Sequence, residues 1–432
     1  MRLSGWGRFP WCEARVRSFA QAGEAASFVG REQPFIVRGL GRSYGDSALA
    51  QDILLTRRFN HILDFCPSTG ALSCEAGVSL DEIIAAFLPR GWFLPVVPGT
   101  RFVTVGGAIA GDVHGKNHHS AGCFSSCVRS LVLLLPNGEV RTCSPTDNRD
   151  LFTATCGGMG LTGVILAAEL ALRSVSSSMI EQKVVKARNL AHTLELFEEH
   201  GDAEYSVAWV DTLAQGEGSG RSLLILGEHA PGGPLRLAEP KAVTIPSWFP
   251  GWLLGRPVAK IFNNLKYSSI SANGAQGVVP LHSFFFPLDG LLEWNRLYGR
   301  KGFTQYQFVI PKQGGPEGLA AILSRIAGSG LASYLAVLKL FGPANANMLS
   351  FPMAGYTLAL DFKISSGLPA LLHDLDRMVR EQGGRLYLAK DARMEPAMLE
   401  AGYPGLAEFR DLRRHYGMDT VFSSLQSKRL GV

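Results

Sequence analysis

Glycines, short hydroxyls, amides and histidines are concentrated in one stretch of this chain, VPGTRFVTVGGAIAGDVHGKNHHSAG (Val97–Gly122). It holds six glycines and three histidines, with Asp112 as its one acidic residue. Glycines at this density let backbone N–H groups approach a ligand closely. The remaining side chains suit a bulky polyphosphate cofactor better than a metal ion. Two segments of the same kind flank it, IVRGLGRSYGD (Ile36–Asp46) and CGGMGLTG (Cys156–Gly163).

The segment Gly158–Gly163 matches the G-x-G-x-x-G fingerprint of dinucleotide-binding proteins. That fingerprint needs a strand before it and the start of a helix after it. Here the order is reversed, because a helix is predicted over Arg149–Thr155 and an apolar strand over Val164–Leu172. The pattern therefore excludes a Rossmann interpretation of this loop.

Composition favours a globular protein of two or three substructures. The chain has 432 residues, of which 46% are hydrophobic and 18% charged, with a net charge of +5. Basic residues are scattered, and the short cluster Arg410–Arg414 is typical of a solvated helix face, so we expect no nucleic-acid partner. The N-terminus lacks an apolar signal region, and no run of about 18 apolar residues occurs. We therefore expect a cytoplasmic or peripherally membrane-associated protein.

The cysteines predict reduced, mostly buried thiols. There are seven of them and no C-x-x-C pair. Cys123 and Cys127 lie near His118 and His119, but this spacing is too loose for a zinc site, and we expect no metal.

Hydrophobic periodicity predicts a mixture of helices and strands. SLDEIIAAFLPRG should form a helix capped by Ser79, with Glu82 completing a capping box and Gly91 just past its end. PNGE should turn a hairpin. Longer helices are expected over Leu190–His200, Gly318–Ser329 and Ala370–Gln382. The chain therefore belongs to the α+β class.

Taken in order, the three glycine-rich segments resemble the FAD-linked oxidases of the vanillyl-alcohol-oxidase (PCMH) type, and within them the polyprenyl-phosphoryl-ribose oxidases. PLDGLLEWNRLYG (Pro287–Gly299), QYQFVIP (Gln305–Pro311), LKLFGP (Leu338–Pro343), LSFPMAGYTLALDF (Leu349–Phe362) and GGRLYLAKDAR (Gly383–Arg393) extend the likeness over nearly the whole chain. The resemblance implies a two-domain fold. Residues 1–175, completed by 385–432, would bind FAD, and residues 176–384 would form a substrate domain on an antiparallel sheet flanked by helices.

The resemblance also implies site residues. The catalytic group would be Lys390, Tyr44 and His114. The cofactor would contact Arg38, Gly39, Leu40, Gly41, Arg42, Ser43, Tyr44, Gly45, Asp46, Gly99, Thr100, Thr104, Val105, Gly106, Gly107, Gly111, Asp112, Val113, His114, Asn117, Ser120, Gly122, Gly160, Gly163, Ile165 and Tyr387. The substrate would contact Gln305, Gln307, Val337, Lys339, Thr357 and Lys390.

Each of these side chains also has an ordinary structural interpretation. His114 could be a satisfied core group, and Tyr44 a packing aromatic. Lys390 stands in a strand-like run and could pair with Asp391 on the surface. Lys116 reads as a solvated charge.

Two departures from the family pattern matter. Arg42 stands where related flavoproteins often carry the histidine that links covalently to the flavin, so we expect non-covalent FAD. Thr357 and Ala359 stand where the family carries an Asn and a Cys; the loss of the Asn weakens the case for an identical substrate, and the loss of the Cys does not argue against catalysis.

The implied activity is oxidation of the 2-hydroxyl of a polyprenyl-phosphoryl ribose to a ketone. A partner short-chain dehydrogenase/reductase would complete epimerisation to arabinose for a cell-envelope polysaccharide. The alternatives are a soluble alditol or sugar oxidase that uses oxygen, and a flavin-bound subunit without catalysis.

One further segment, Ile245–Tyr267, combines Trp248, Trp252 and Leu253 with several prolines, glycines and cations. A core loop followed by an inward-packing helix would account for it. The alternative is a surface that guides a polyprenyl tail and contacts a membrane.

Overall fold

The computed structural model describes residues 1–31, 33–236, 242–251 and 254–432. Trp252 and Leu253 therefore lie outside the described residues. In chain order the strands are β1 (Arg2–Ser4), β2 (Trp11–Glu13), β3 (Arg15–Ser18), β4 (Ile36–Arg38), β5 (Asp52–Leu55), β6 (Ile62–Cys66), β7 (Ala71–Glu75), β8 (Trp92–Phe93), β9 (Val128–Leu134), β10 (Val140–Cys143), β11 (Val164–Ala171), β12 (Arg173–Ser174), β13 (Met179–Ala187), β14 (Tyr205–Val210), β15 (Ser222–His229), β16 (Val243–Thr244), β17 (Ala275–Pro280), β18 (Leu291–Leu292), β19 (Phe303–Pro311), β20 (Ser333–Phe341), β21 (Gly355–Lys363) and β22 (Arg385–Leu386).

The helices are α1 (Ala22–Val29), α2 (Leu80–Phe87), α3 (Val105–Ala110), α4 (His118–Ala121), α5 (Arg149–Thr155), α6 (Leu190–Glu199), α7 (Arg256–Ser268), α8 (Leu281–Phe285), α9 (Gly315–Gly328), α10 (Leu368–Glu381), α11 (Pro396–Gly402), α12 (Leu406–His415), α13 (Met418–Val421) and α14 (Leu425–Leu430). The α+β class is confirmed.

The chain contains two large sheets and a small parallel sheet. A five-stranded antiparallel sheet has the order β10-β9-β11-β7-β6, and a small parallel sheet, β3-β5-β4, lies in the same N-terminal part. The larger sheet has eight strands in the order β17-β13-β15-β14-β20-β21-β19-β22. Its neighbouring strands pair antiparallel, so residues directly opposite each other project from the same face.

Local signals set several element ends. Ser79 caps α2 by accepting a hydrogen bond from the Glu82 N–H, and the Glu82 carboxylate accepts one from the Ser79 N–H, as the capping box predicts. The predicted hairpin joins β9 and β10. The helix α5 precedes the glycine loop and the strand β11 follows it, which confirms the order that excludes a Rossmann loop.

The two faces of the eight-stranded sheet differ in character. On one face, α6, α9 and α10 pack with apolar residues such as Phe197, Leu338 and Leu375 into a continuous core. On the other face, Trp209 is opposite Val337, Val337 is opposite Ala359, and Ala359 is opposite Gln307. This second face, called the site face below, is where the polar residues of β19–β21 project.

Candidate functional site

The loop that carries Tyr44 contacts the turn that carries Lys390. The Tyr44 N–H donates to the Ala389 carbonyl at 3.0 Å. Gly45 lies so close to Asp391 that a Cβ there would come within 1.8 Å of the Asp391 carbonyl oxygen. No side chain larger than hydrogen fits at position 45, so the glycine lets two distant segments meet.

Lys390 itself lies in a turn and not in a strand as predicted. The strand β22 ends at Leu386, and the Lys390 N–H donates to the Tyr387 carbonyl at 3.0 Å. This turn aims the ammonium at the Tyr44 ring, with 3.7 Å between Nζ and the ring centroid. Asp391 pairs with Arg429 instead, so a surface pair of Lys390 with Asp391 is excluded.

A buried carboxylate, Asp361, lies on the same face. Its Oδ1 accepts a hydrogen bond from Nε2 of Gln305 at 2.6 Å, and its Oδ2 lies 3.5 Å from the Tyr298 hydroxyl. Burial lowers the pKa of Lys390, and the charge of Asp361 opposes that shift. Burial likewise raises the pKa of Asp361, against the hydrogen bond from Gln305 and the charge of Lys390. The sequence reasoning missed Asp361.

A chain of hydrogen bonds fixes the tautomer of His114. The Thr357 hydroxyl donates to the Phe308 carbonyl at 2.7 Å, so its oxygen accepts from Nε2 of Gln307 at 3.3 Å. The same Gln307 amide lies 3.1 Å from Nε2 of His114 and donates to it. In this network the proton of the neutral imidazole lies on Nδ1.

That Nδ1–H is buried and finds no hydrogen-bond partner in the described part of the chain. The pKa of His114 is well below its ordinary value because of burial and the nearby charges of Lys339, His118 and Lys390. The neutral ring packs against Tyr387, with centroids 5.2 Å apart. The Nδ1–H of His114 is therefore a buried, unsatisfied hydrogen-bond donor, and His114 is not a satisfied core group.

Two more cations lie in the same region. Nζ of Lys339 donates to the Gly115 carbonyl at 3.3 Å, and burial lowers its pKa to about 8. Nζ of Lys116 donates to the Phe284 carbonyl and lies 4.3 Å from the Phe284 ring centroid. Burial and the charge of Lys339 lower the pKa of Lys116 to about 7, so its interpretation as a solvated charge is wrong.

Lys116, Lys339 and Lys390 each keep part of their surface accessible even though burial shifts their pKa values. The charge of Lys339 acts on both Lys116 and Lys390, so the three lysines share one partly buried region, which we call the cleft. The one acid of the glycine-rich stretch, Asp112, makes its hydrogen bonds elsewhere. Its carboxylate already accepts hydrogen bonds from the Ser125 N–H and from Asn345, Asn347 and Ser350. Below their pKa values the three lysines outnumber the one buried carboxylate beside them, Asp361, so the cleft is then electropositive.

Several predicted cofactor residues use their polar groups within the protein. The Arg38 guanidinium donates to the carbonyls of Ser4 and Ala48. The Arg42 guanidinium lies 3.9 Å from the Trp6 ring centroid. Asp46 is paired with Arg429 at 2.8 Å.

Other predicted cofactor residues hold the glycine-rich segments together. The Thr104 hydroxyl caps α3 by accepting from the Gly107 N–H at 3.1 Å. A Cβ at Gly39 would lie 2.2 Å from that hydroxyl oxygen, so the first and second glycine segments touch. The Tyr387 hydroxyl donates to the Gly111 carbonyl at 2.9 Å, which joins the turn of Lys390 to the second segment.

The third segment contributes mainly to packing. Ile165 belongs to the N-terminal core, and a Cβ at Gly163 would lie 2.7 Å from the Leu133 side chain.

Ser120 is exposed and donates to the Asn117 carbonyl at 3.1 Å. Val337 projects from the site face, opposite Ala359. Positions Leu40, Gly41, Ser43, Thr100, Val105, Gly106, Val113, Gly122 and Gly160 lie in or beside the three loops, and their contacts with a cofactor stay predictions.

The residues of this cleft fit FAD. The Nδ1–H of His114 and Oδ1 of Asn117 are buried without a partner among the residues described, so a ligand with both acceptors and donors would satisfy them. A Cβ at Gly99 would meet no described atom within 4 Å, which leaves open space beside the second segment. The electropositive walls suit a pyrophosphate. No group of three metal-ligating side chains is found within the described ranges.

Comparison with known proteins agrees with this geometry. The family model described as "FAD binding domain" matches residues 12–144. The decaprenylphosphoryl-beta-D-ribose oxidase of Mycolicibacterium smegmatis is 40% identical, over 99% of this chain and 97% of that protein. The uncharacterized protein in the mprA 5' region of Streptomyces coelicolor is 35% identical, over 82% of this chain and 100% of that protein. An uncharacterized oxidoreductase of the fasciation locus of Rhodococcoides fascians is 32% identical, over 39% of each chain.

Likeness over essentially the full length of the mycobacterial oxidase covers both the glycine loops and the site face. The chain is therefore an FAD-dependent oxidoreductase that belongs to the family of the decaprenylphosphoryl-β-D-ribose oxidases.

Proposed function

We propose that the protein oxidises the 2-hydroxyl of a polyprenyl-phosphoryl ribose to a ketone. The observation that carries this proposal is the electropositive cleft, in which Lys390 and the Gln307–His114 pair lie beside buried, unsatisfied polar atoms. The name of the mycobacterial relative supports the choice of a phosphorylated ribose. We further propose that residues 1–175 with 385–432 bind the flavin and that 176–384 bind the substrate.

Oxidation of a secondary alcohol removes a hydride from carbon and a proton from oxygen. FAD, when bound, supplies the hydride acceptor. Lys390 contributes a preorganised cation next to Tyr44, where negative charge that develops during the reaction is stabilised. The Nδ1–H of His114 and Oδ1 of Asn117 would hold the cofactor, non-covalently because Arg42 stands in place of a linking histidine.

The substrate would be held by the residues of the site face. The free oxygen of the Gln307 amide is available to a sugar hydroxyl, because its nitrogen already donates to His114 and Thr357. Lys339 is placed to bind the phosphate. The Thr357 hydroxyl donates its proton to the Phe308 carbonyl, so Thr357 would act by orienting Gln307 and not by binding the substrate itself.

The ketone product implies a second enzyme. A short-chain dehydrogenase/reductase that delivers hydride to the opposite face would complete the epimerisation.

The test is anaerobic bleaching of the flavin absorbance by decaprenylphosphoryl ribose, with free alditols in parallel. We expect bleaching by the lipid-linked ribose. Lys390→Met should keep FAD bound but slow the bleaching about a hundredfold, as removal of one preorganised donor does. The exposed Lys312, which pairs with Glu198, provides the control Lys312→Met. Bleaching by alditols alone would refute a lipid-linked ribose as the substrate. An unchanged bleaching rate in Lys390→Met would refute the role of Lys390 in the site.

A further inference from the structure

The helix α7 presents its apolar residues to solvent. Val258, Ile261, Phe262 and Leu265 recur at helical spacing and therefore share one side of the helix. Their exposed fractions are 44%, 60%, 45% and 68%. These four residues, with Trp248 at 77% exposure, form what we call the α7 surface. The expectation of an inward-packing helix is wrong.

The opposite side of α7 is anchored to the protein by polar contacts. Nδ2 of Asn263 donates to Oδ1 of Asp211 at 2.7 Å, and the Tyr267 hydroxyl donates to the Ala187 carbonyl at 3.2 Å. Nζ of Lys266 lies 4.9 Å from the Trp209 ring centroid. Rotation of the helix to bury the apolar side would break these contacts, so the outward orientation is built into the fold.

The inner side of α7 covers part of the site face. Trp209, beneath the helix, projects from the same face as Gln307. The residues before α7 pack on the aromatic cluster of Tyr44, Trp294, Tyr298 and Phe303, through Ile245 and Leu254. The segment that leads into α7 is therefore anchored on the buried aromatic cluster to which Tyr44 belongs.

The charge of this segment has one sign. Between Glu239 and Asp289 the sequence contains no Asp or Glu. Arg256 and Lys260 are exposed next to the apolar side chains. Exposed apolar and aromatic residues flanked by cations are the features of a helix that lies in the interface of an anionic bilayer.

We propose that the α7 surface docks the protein on the surface of an anionic phospholipid bilayer. The aromatic and aliphatic side chains enter the headgroup boundary, and Arg256 and Lys260 meet the lipid phosphates. The binding needs no turnover, so its test does not depend on the identity of the substrate.

The experiment is sedimentation of the FAD-loaded protein with vesicles of phosphatidylcholine containing phosphatidylglycerol. We expect binding that weakens with salt and is lost on vesicles of phosphatidylcholine alone. Ile261→Ser with Leu265→Ser should lower the partition coefficient by about tenfold or more. The matched control is Ile62→Ser with Leu63→Ser, an exposed apolar pair on β6, which should bind like the wild type.

Two readouts keep the result independent of folding. The flavin absorbance and thermal midpoint of each variant should equal those of the wild type, because the replaced side chains are exposed. The blue shift of tryptophan emission on anionic vesicles should shrink in Trp248→Phe. The proposal would be overturned if the α7 double variant bound anionic vesicles as strongly as the β6 control variant. A dimer that the α7 variant dissociates would also overturn it, since that result would assign the surface to a second copy of the chain.

Discussion

The electrostatic coupling of buried Lys390 with Asp361 makes a prediction about pH. Asp361→Asn removes the negative charge that raises the pKa of Lys390, while burial and the charge of Lys339 still lower it. An opposite charge within about 4–6 Å moves a pKa by about one to three pH units. The Lys390 ammonium should therefore lose its proton at a pH lower by about that amount, which corresponds to about 1.4 kcal/mol for each unit. The asparagine oxygen can still accept from Gln305, so the fold should be preserved.

The assay is the rate of anaerobic flavin reduction as a function of pH. Lys390 works as a cation, so the rate should fall as the pH rises through its pKa, and this alkaline limb should move to lower pH in Asp361→Asn. The control Asp374→Asn makes the same chemical change at an exposed carboxylate that pairs with Arg325. An unmoved limb in Asp361→Asn would refute the coupling of the two groups. A limb moved to higher pH would refute the sign of the argument.

Three other outcomes can be checked. Acid precipitation should release FAD into the supernatant, since Arg42 stands where a linking histidine would be, and flavin retained on the denatured chain in a gel would contradict this. Lys339 has a pKa of about 8 because of burial, so its cation is lost between pH 7 and pH 9; KM for a phosphorylated substrate should rise over that range, and Lys339→Met should abolish the rise. Arg429→Met should lower the free energy of unfolding by about 3–5 kcal/mol, because it leaves Asp46 and a second buried carboxylate without their cation. Urea unfolding with the exposed neighbour variant Lys428→Met as control measures this, and equal losses in both would exclude the buried ion pairs as the cause.

Local chemistry explains which parts of the fold were predictable. The capping box of Ser79 and Glu82 and the hairpin turn after β9 depend on residues a few positions apart, and both are present as expected. The helices α6, α9 and α10 follow from apolar spacing and differ from the predicted ranges by a few residues at their ends. The strand predicted at Lys390 is wrong, although LYLAKDAR has the apolar residues of a strand and no glycine or proline that would end it.

The site was predictable only in part. Asp361 follows Thr357 and Ala359 at intervals of two in the same strand, so the period of a β-strand would have placed it on the site face. The pairing of Asp46 with Arg429 spans 383 positions, and no local pattern reports such a contact. The interpretation of Lys116 as a solvated charge is wrong for the same reason, because its partner, the Phe284 carbonyl, is 168 positions away.

The long-range pairing of Arg429 also sets an order for biosynthesis. The loop of Tyr44 is made early, but Arg429, the cation that neutralises Asp46 and Asp391, belongs to α14. At ribosomal speeds of about 5–20 residues per second, the intervening 383 positions take roughly 20–80 s to synthesise. During that time the nascent loop carries the uncompensated carboxylate of Asp46, a predicted cofactor contact, and Asp391 is made only 38 positions before Arg429. FAD capture should therefore follow the emergence of α14 from the ribosome and act as a late step in maturation.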